Sequence, residues 1–145
     1  MEDSERAAVD RYFSGAAWSL PLFETIHDAV TAAAGPGGSL AVQKTQIAYR
    51  IGVSGGCRPL QFAFVWLPTR RIKGRPGQYL VLTFGLGRRE VDPRIIESVE
   101  PYPGRFTHHM LLSSPADVDD TVRGWLVEAA AFAREKQQKS HGKKQ

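Results

Sequence analysis

Two uncharged apolar runs, Leu60–Leu67 and Tyr79–Leu86, constrain this chain more than anything else in it. Each is rich in aromatic and branched residues, is too short for a typical helix and is bounded by turn residues, so each predicts a strand. Neither run has a polar side, since Phe62, Phe64 and Trp66 alternate with Ala63, Val65 and Leu67. A strand that is apolar on both faces belongs in the middle of a sheet. The connection between the runs, Thr69-Arg70-Arg71-Ile72-Lys73-Gly74-Arg75-Pro76-Gly77, is strongly basic and is expected to be the loop of a central hairpin.

The remaining segments read as elements that extend or cover this hairpin. Residues 5–13 predict a short helix, and a second begins near Ser19, taken as its N-cap, with Pro21 in the first turn. Leu22, Phe23, Ile26, Ala29, Val30 and Ala33 form its apolar stripe, and Gly35-Pro36-Gly37-Gly38 ends it. That glycine cluster follows a helix rather than opening one, so it reads as a helix stop and not as a phosphate loop. Leu40–Val42 and Ile47–Ile51 predict two strands; Ile47, Tyr49 and Ile51 share one face, Ala48 and Arg50 the other. Arg94–Val99 fits either one helical turn or a short edge strand, and residues 106–112 a last strand. Ser113-Ser114-Pro115-Ala116-Asp117 carries a capping box and opens a helix over 115–134, striped by Val118, Val122, Trp125, Leu126, Ala129 and Phe132.

Helices at the two ends and consecutive strands between them predict an α+β fold. Its sheet should be mainly antiparallel, of about five strands, with the N-terminal and C-terminal helices packed on one face. The 145 residues suffice for one such domain, expected over 1–134, followed by a basic tail at 135–145 with nothing to bury and expected to be disordered.

The net charge of +4 is matched by residues 134–145 alone, Arg134 and the tail, which hold five cations against Glu135. The body is neutral in sum but uneven. No acid occurs between Asp28 and Glu90, whereas Lys44, Arg50, Arg58, Arg70, Arg71, Lys73, Arg75, Arg88 and Arg89 are all basic. This run offers a surface for polyanions, with Tyr49, Trp66 and Tyr79 interleaved as in single-strand binders. The competing reading is a set of solvated strand ends whose charge prevents edge-to-edge pairing. The single cysteine, Cys57, permits no internal disulfide and no cysteine-based zinc cluster. A cytoplasmic protein without a signal peptide, membrane span or cofactor is expected.

Gly52-Val53-Ser54-Gly55-Gly56, with Asp92, His108 and His109 downstream, matches the pattern of a hydrolase nucleophile elbow. The elbow requires a strand feeding a helix, whereas here a strand leads into another strand, so a glycine-rich turn is the better reading. Adjacent His108 and His109 point to opposite faces of a strand and cannot chelate one metal, and His27 and His141 are not spaced to join them. His108 shares a face with Phe106, Met110 and Leu112 and reads as a core residue. His109, with Arg105 and Thr107, is the better contact residue.

Tyr12-Phe13-Ser14-Gly15, Lys44-Thr45-Gln46-Ile47-Ala48-Tyr49, Phe62-Ala63-Phe64-Val65-Trp66, Arg105-Phe106-Thr107-His108-His109 and the capped segment from Ser114 through Trp125-Leu126 follow one another in a recognisable order. In these the chain resembles an uncharacterised bacterial domain family, domain of unknown function 5655, sometimes labelled a predicted transport protein. The resemblance implies a compact α+β domain with no established activity, found alone or joined to other modules.

The function expected from the sequence is a small binding or accessory domain for a small ligand or a protein partner, contacted by Lys44, Tyr49, Arg105 and His109. Two alternatives stand beside it: nucleic acid or another polyanion bound by the 70–75 loop, and an enzyme working through His108 and His109.

Overall fold

In the computed structural model, residues 1–52, 60–68 and 77–142 are described, with side chains through 136. Ser54, Cys57, Arg58, Arg70, Arg71, Lys73 and Arg75 lie outside the described residues. Helices α1 (Asp3–Tyr12) and α2 (Ser19–Ala34) precede strands β1 (Gly38–Val42), β2 (Ile47–Ile51), β3 (Leu60–Trp66), β4 (Leu80–Leu86), β5 (Ile95–Tyr102) and β6 (Arg105–Leu112). Helix α3 (Asp120–Gly142) is the last element among the described residues. The strands form one antiparallel sheet in the order β1-β2-β3-β4-β6-β5. The uncharged runs thus occupy β3 and β4, the two central positions.

Segment 94–99 resolves to the strand alternative: β5 is an edge strand, and it makes the sheet six-stranded rather than five. Pro101 is tolerated there because one side of an edge strand donates no ladder bond. Gly104, at φ +84°, makes the tight turn into β6.

Helices α2 and α3 cover one face, and the main core lies between. Val30, Leu22, Phe23 and Ile26 of α2 and Val122, Leu126 and Ala129 of α3 meet Tyr49, Val65, Leu82, Phe84 and Met110 of the sheet. Phe62 departs from the alternation expected of β3. Tyr49 pairs with Ala63 while Arg50 pairs with Gln61, which leaves Phe62 as the extra residue of a bulge. It enters the main core with Ala63 and Val65, while Phe64 and Trp66 stay on the other face.

Three helix ends differ from expectation. Ser19 is not a cap: Trp18 takes that place, and the buried Ser19 Oγ has no hydrogen-bond partner. Ser19→Ala should therefore leave stability unchanged or raise it by up to about 1 kcal/mol, because an unpaired hydroxyl is removed. A loss of about 1 kcal/mol in urea unfolding, the usual cost of a deleted cap, would contradict this. Ser114 and Asp117 do form the capping box, but around a separate 3-10 turn, Pro115–Asp117. Helix α3 starts later, with the Asp119 carboxylate accepting from Val122 N–H at 3.0 Å. It also continues past the boundary expected at Arg134, whose guanidinium donates to the carbonyl of Ala34 at the end of α2. Gly35, at φ +70°, completes that end as the expected stop.

Candidate ligand-binding cleft

The face of the sheet turned away from α2 and α3 carries Phe64 and Trp66 of β3, Val81 and Thr83 of β4, and Arg105, Thr107, His109 and Leu111 of β6. Tyr79, Val81 and Leu111 make a small apolar cluster against Trp66 and Ile96. Across it runs a line of hydrogen bonds. The indole Nε1–H of Trp66 donates to Thr83 Oγ1 at 3.1 Å, and the Thr83 hydroxyl meets His109 Nδ1 at 2.8 Å. An indole N–H only donates, so Thr83 Oγ1 accepts there, and its own O–H can donate to Nδ1 in the His109 tautomer that carries its proton on Nε2. Burial pushes the His109 pKa down, against the pull of Glu97, so the ring is neutral at pH 7. Thr83 and His109 are not a nucleophile and its base: Thr83 is 5% exposed and its hydroxyl is engaged from both sides.

Trp66 also forms a wall of a cleft of roughly 500 Å3, lined further by Arg11, Tyr12, Lys44, Thr45 and Leu67. Tyr12, the last residue of α1, holds this end of the molecule together. Its hydroxyl donates to the Thr45 carbonyl at 2.9 Å and accepts from Leu67 N–H at 3.1 Å. Burial pushes the Tyr12 pKa up, which keeps the hydroxyl neutral. No acidic residue lines the cleft. All 15 acids of the chain are among the described residues, and none forms an ion pair with Arg11 or Lys44. Both cations are exposed and uncompensated.

The four expected contact residues divide between the two faces. Lys44 lies in the cleft with Trp66, whose ring meets His109 edge-on at 6.4 Å between centroids. Arg105 is on the same face as His109 but four residues along β6, lying across Gly85; a Cβ at Gly85 would come within 2.9 Å of its guanidinium carbon. Tyr49 points the other way, into the main core. Its hydroxyl meets His27 Nδ1 at 2.9 Å beneath a separate pocket of roughly 310 Å3 between α1, α2 and β1. Burial drives the Tyr49 pKa far up and the His27 pKa down, so both are neutral.

Among the described residues, three further cations of the acid-free run, Arg50, Arg88 and Arg89, are less available. Arg88 is held by Glu128 through two bonds of 2.9 Å and by Glu90 at 2.6 Å. Arg89 lies over the Phe106 ring at 5.7 Å, and Arg50 is half-buried on β2. Among the described residues no group of three His, Cys, Asp or Glu side chains is placed to hold a metal.

His108 is a core residue, as expected. It is fully buried, stacked on Phe84 at 5.2 Å, and its Nε2 accepts from Glu90 N–H at 2.9 Å. Burial pushes its pKa down too. Each of His27, His108 and His109 therefore binds a proton less readily folded than unfolded. Their contribution to stability is complete above the unfolded value of about 6.5 and is lost as pH falls below it. The urea midpoint should drop between pH 7.5 and pH 5.5, before the carboxylates titrate. A midpoint constant or rising over that range would contradict these three environments.

No helix among the described residues is long and apolar enough to cross a membrane. Neither a search of curated proteins nor one of solved structures found a match. One family model does match, over residues 9–133, which include every residue lining the cleft. The chain belongs to the family described as a domain of unknown function, DUF5655.

Proposed function

We propose that this protein is a ligand-binding domain whose site is the cleft between the end of α1, the β1–β2 turn and the end of β3, and that its ligand is anionic. The observation that carries this reading is the pairing of two uncompensated cations, Arg11 and Lys44, with walls already fixed by internal hydrogen bonds through Tyr12, Thr45, Leu67 and Trp66. Fixed walls reduce the ordering cost of binding, and cations without partners favour a negative ligand. Such a cleft is of ordinary size for a small molecule. A cytoplasmic location belongs to the same proposal and is supported by the single cysteine. Nucleic acid held by the 70–75 loop remains the alternative, supported by the acid-free run from 29 to 89.

Amide NMR with pyrophosphate as the probe tests the proposal. The Thr45 and Leu67 signals should shift on titration, less so as salt is raised. Arg11→Ser combined with Lys44→Ser should weaken binding by about tenfold or more, as expected when hydrogen bonds to a charge are lost. Unmoved signals at both positions in low salt would sink the proposal.

A further inference from the structure

We infer that the ligand of this cleft is a planar aromatic ring carrying an anionic group, of the size of a nucleoside monophosphate. This inference rests on the binding reading above and adds the chemistry of the ligand's uncharged part.

The polar atoms on the aromatic walls are already engaged. The Trp66 N–H is given to Thr83, and the Tyr12 hydroxyl is used as donor to Thr45 and as acceptor from Leu67. Trp66 and Tyr12 thus line the cleft with their polar atoms already used, and Leu67 adds aliphatic surface. The Trp66 ring is half-buried, tethered at its nitrogen and met edge-on by His109, which fixes its plane. A flat π-face held in place is a stacking platform for an aromatic ring, independent of the ring's own hydrogen-bonding pattern. On the same cleft, Arg11 and Lys44 supply two positive charges.

Neither half of this arrangement is satisfied by a simpler ligand. An inorganic anion would pair with the cations and leave the aromatic wall in water. A neutral ring would cover the wall and leave the cations unpaired. One molecule with both features uses both. Among the described residues, Arg88 is paired with Glu128 and Glu90 and offers no free charge for a longer strand. The volume of roughly 500 Å3 also fits a ligand of the size of a nucleoside monophosphate.

The test is an NMR titration of the full chain with AMP, indole-3-acetate, adenosine and inorganic phosphate. The indole N–H signal of Trp66 is identified by its loss in Trp66→Phe; Trp18 and Trp125 serve as internal controls. AMP or indole-3-acetate should bind at least tenfold more tightly than adenosine or phosphate and should move the Trp66 signal alone. Arg11→Ser with Lys44→Ser, both at exposed positions, should reduce AMP to the affinity of adenosine. Trp66→Leu should reduce it to that of phosphate. Ring-bearing anions binding no better than phosphate, with the Trp66 signal unmoved, would overturn this inference and leave an anion site standing. No binding by any of the four, nor by pyrophosphate, would overturn both. An adenine oligonucleotide that binds more tightly per nucleotide than AMP, and still binds after the two serine changes, would overturn it in favour of strand binding.

Discussion

Trp125→Ala should lower the free energy of unfolding by about 3–5 kcal/mol, the usual range for a large buried aromatic. Trp125 is 7% exposed on the stripe that α3 turns to the sheet, with Val118, Val122 and Ala129. Its ring stacks on Phe84 of β4 at 5.9 Å and 19°. The Arg94 guanidinium also lies over the ring, 6.0 Å from its centroid. Removing the indole leaves a cavity at the junction of α3, β4 and the start of β5, which neighbours on rigid strands cannot fill. A urea midpoint shifted by less than the equivalent of about 1 kcal/mol would show that α3 docks some other way.

Arg94→Ala comes next, at about 2–4 kcal/mol, because it breaks a partly buried charge cluster and strands its anions. Arg94 grips Asp92 with two bonds, Nε to Oδ1 at 2.9 Å and Nη2 to Oδ2 at 3.1 Å. Its Nη1 donates to the Asp117 carbonyl at 2.8 Å and to Asp119 Oδ2 at 3.0 Å. One side chain thus ties the approach to β5 to the turn before α3, while both members of the Asp92 pair stay largely shielded from solvent. The bonded guanidinium holds the Asp92 carboxyl below its usual range, while the Asp119 carboxyl is lowered first by the Val122 N–H and then by Arg94. Arg94→Lys should recover less than half of the loss, since an ammonium cannot reproduce the fork. Equal stability of the lysine variant and the parent would mean that charge alone, without the fork, does the work.

The fold was legible where the residues allowed one answer. Uncharged β3 and β4 had to be central, and the stripes of α2 and α3 had to face a sheet. The errors arose where local rules met tertiary ones. Ser19 has the side chain of a cap, but it lies one residue inside α2 and is buried. Phe62 broke its alternation because a bulge inserts one residue into β3, and nothing in the local sequence announces a bulge. Segment 94–99 carried two readings because Pro93 and Pro101 flank a short, mixed stretch; its edge position beside β6 decides for a strand.

The candidate site was only half legible, for a topological reason. Lys44, which lines the cleft, and His109, which meets Trp66, were named from their own segments. Arg11 and Tyr12 were not, because they sit on a short N-terminal helix and reach Thr45 and Leu67 only through the fold. Thr83 is one polar residue in an otherwise apolar run and carries no local signal, yet it joins Trp66 to His109. Tyr49 alternates correctly with Ile47 and Ile51, and that alternation is what turns it into the core and away from Lys44 and His109. A sequence lists the members of a face; it does not say which helix end will close a cleft beside it.

Calorimetric titration with pyrophosphate over a salt series, on three proteins, tests the proposed cleft site most directly. They are the parent chain, Arg11→Ser with Lys44→Ser, and Arg70, Arg71, Lys73 and Arg75 all replaced by serine. Binding should fall by tenfold or more in the first variant and stay within about threefold of the parent in the second, with the salt slope following the same order. Binding that survives the cleft change and disappears with the loop would contradict the assignment of the site.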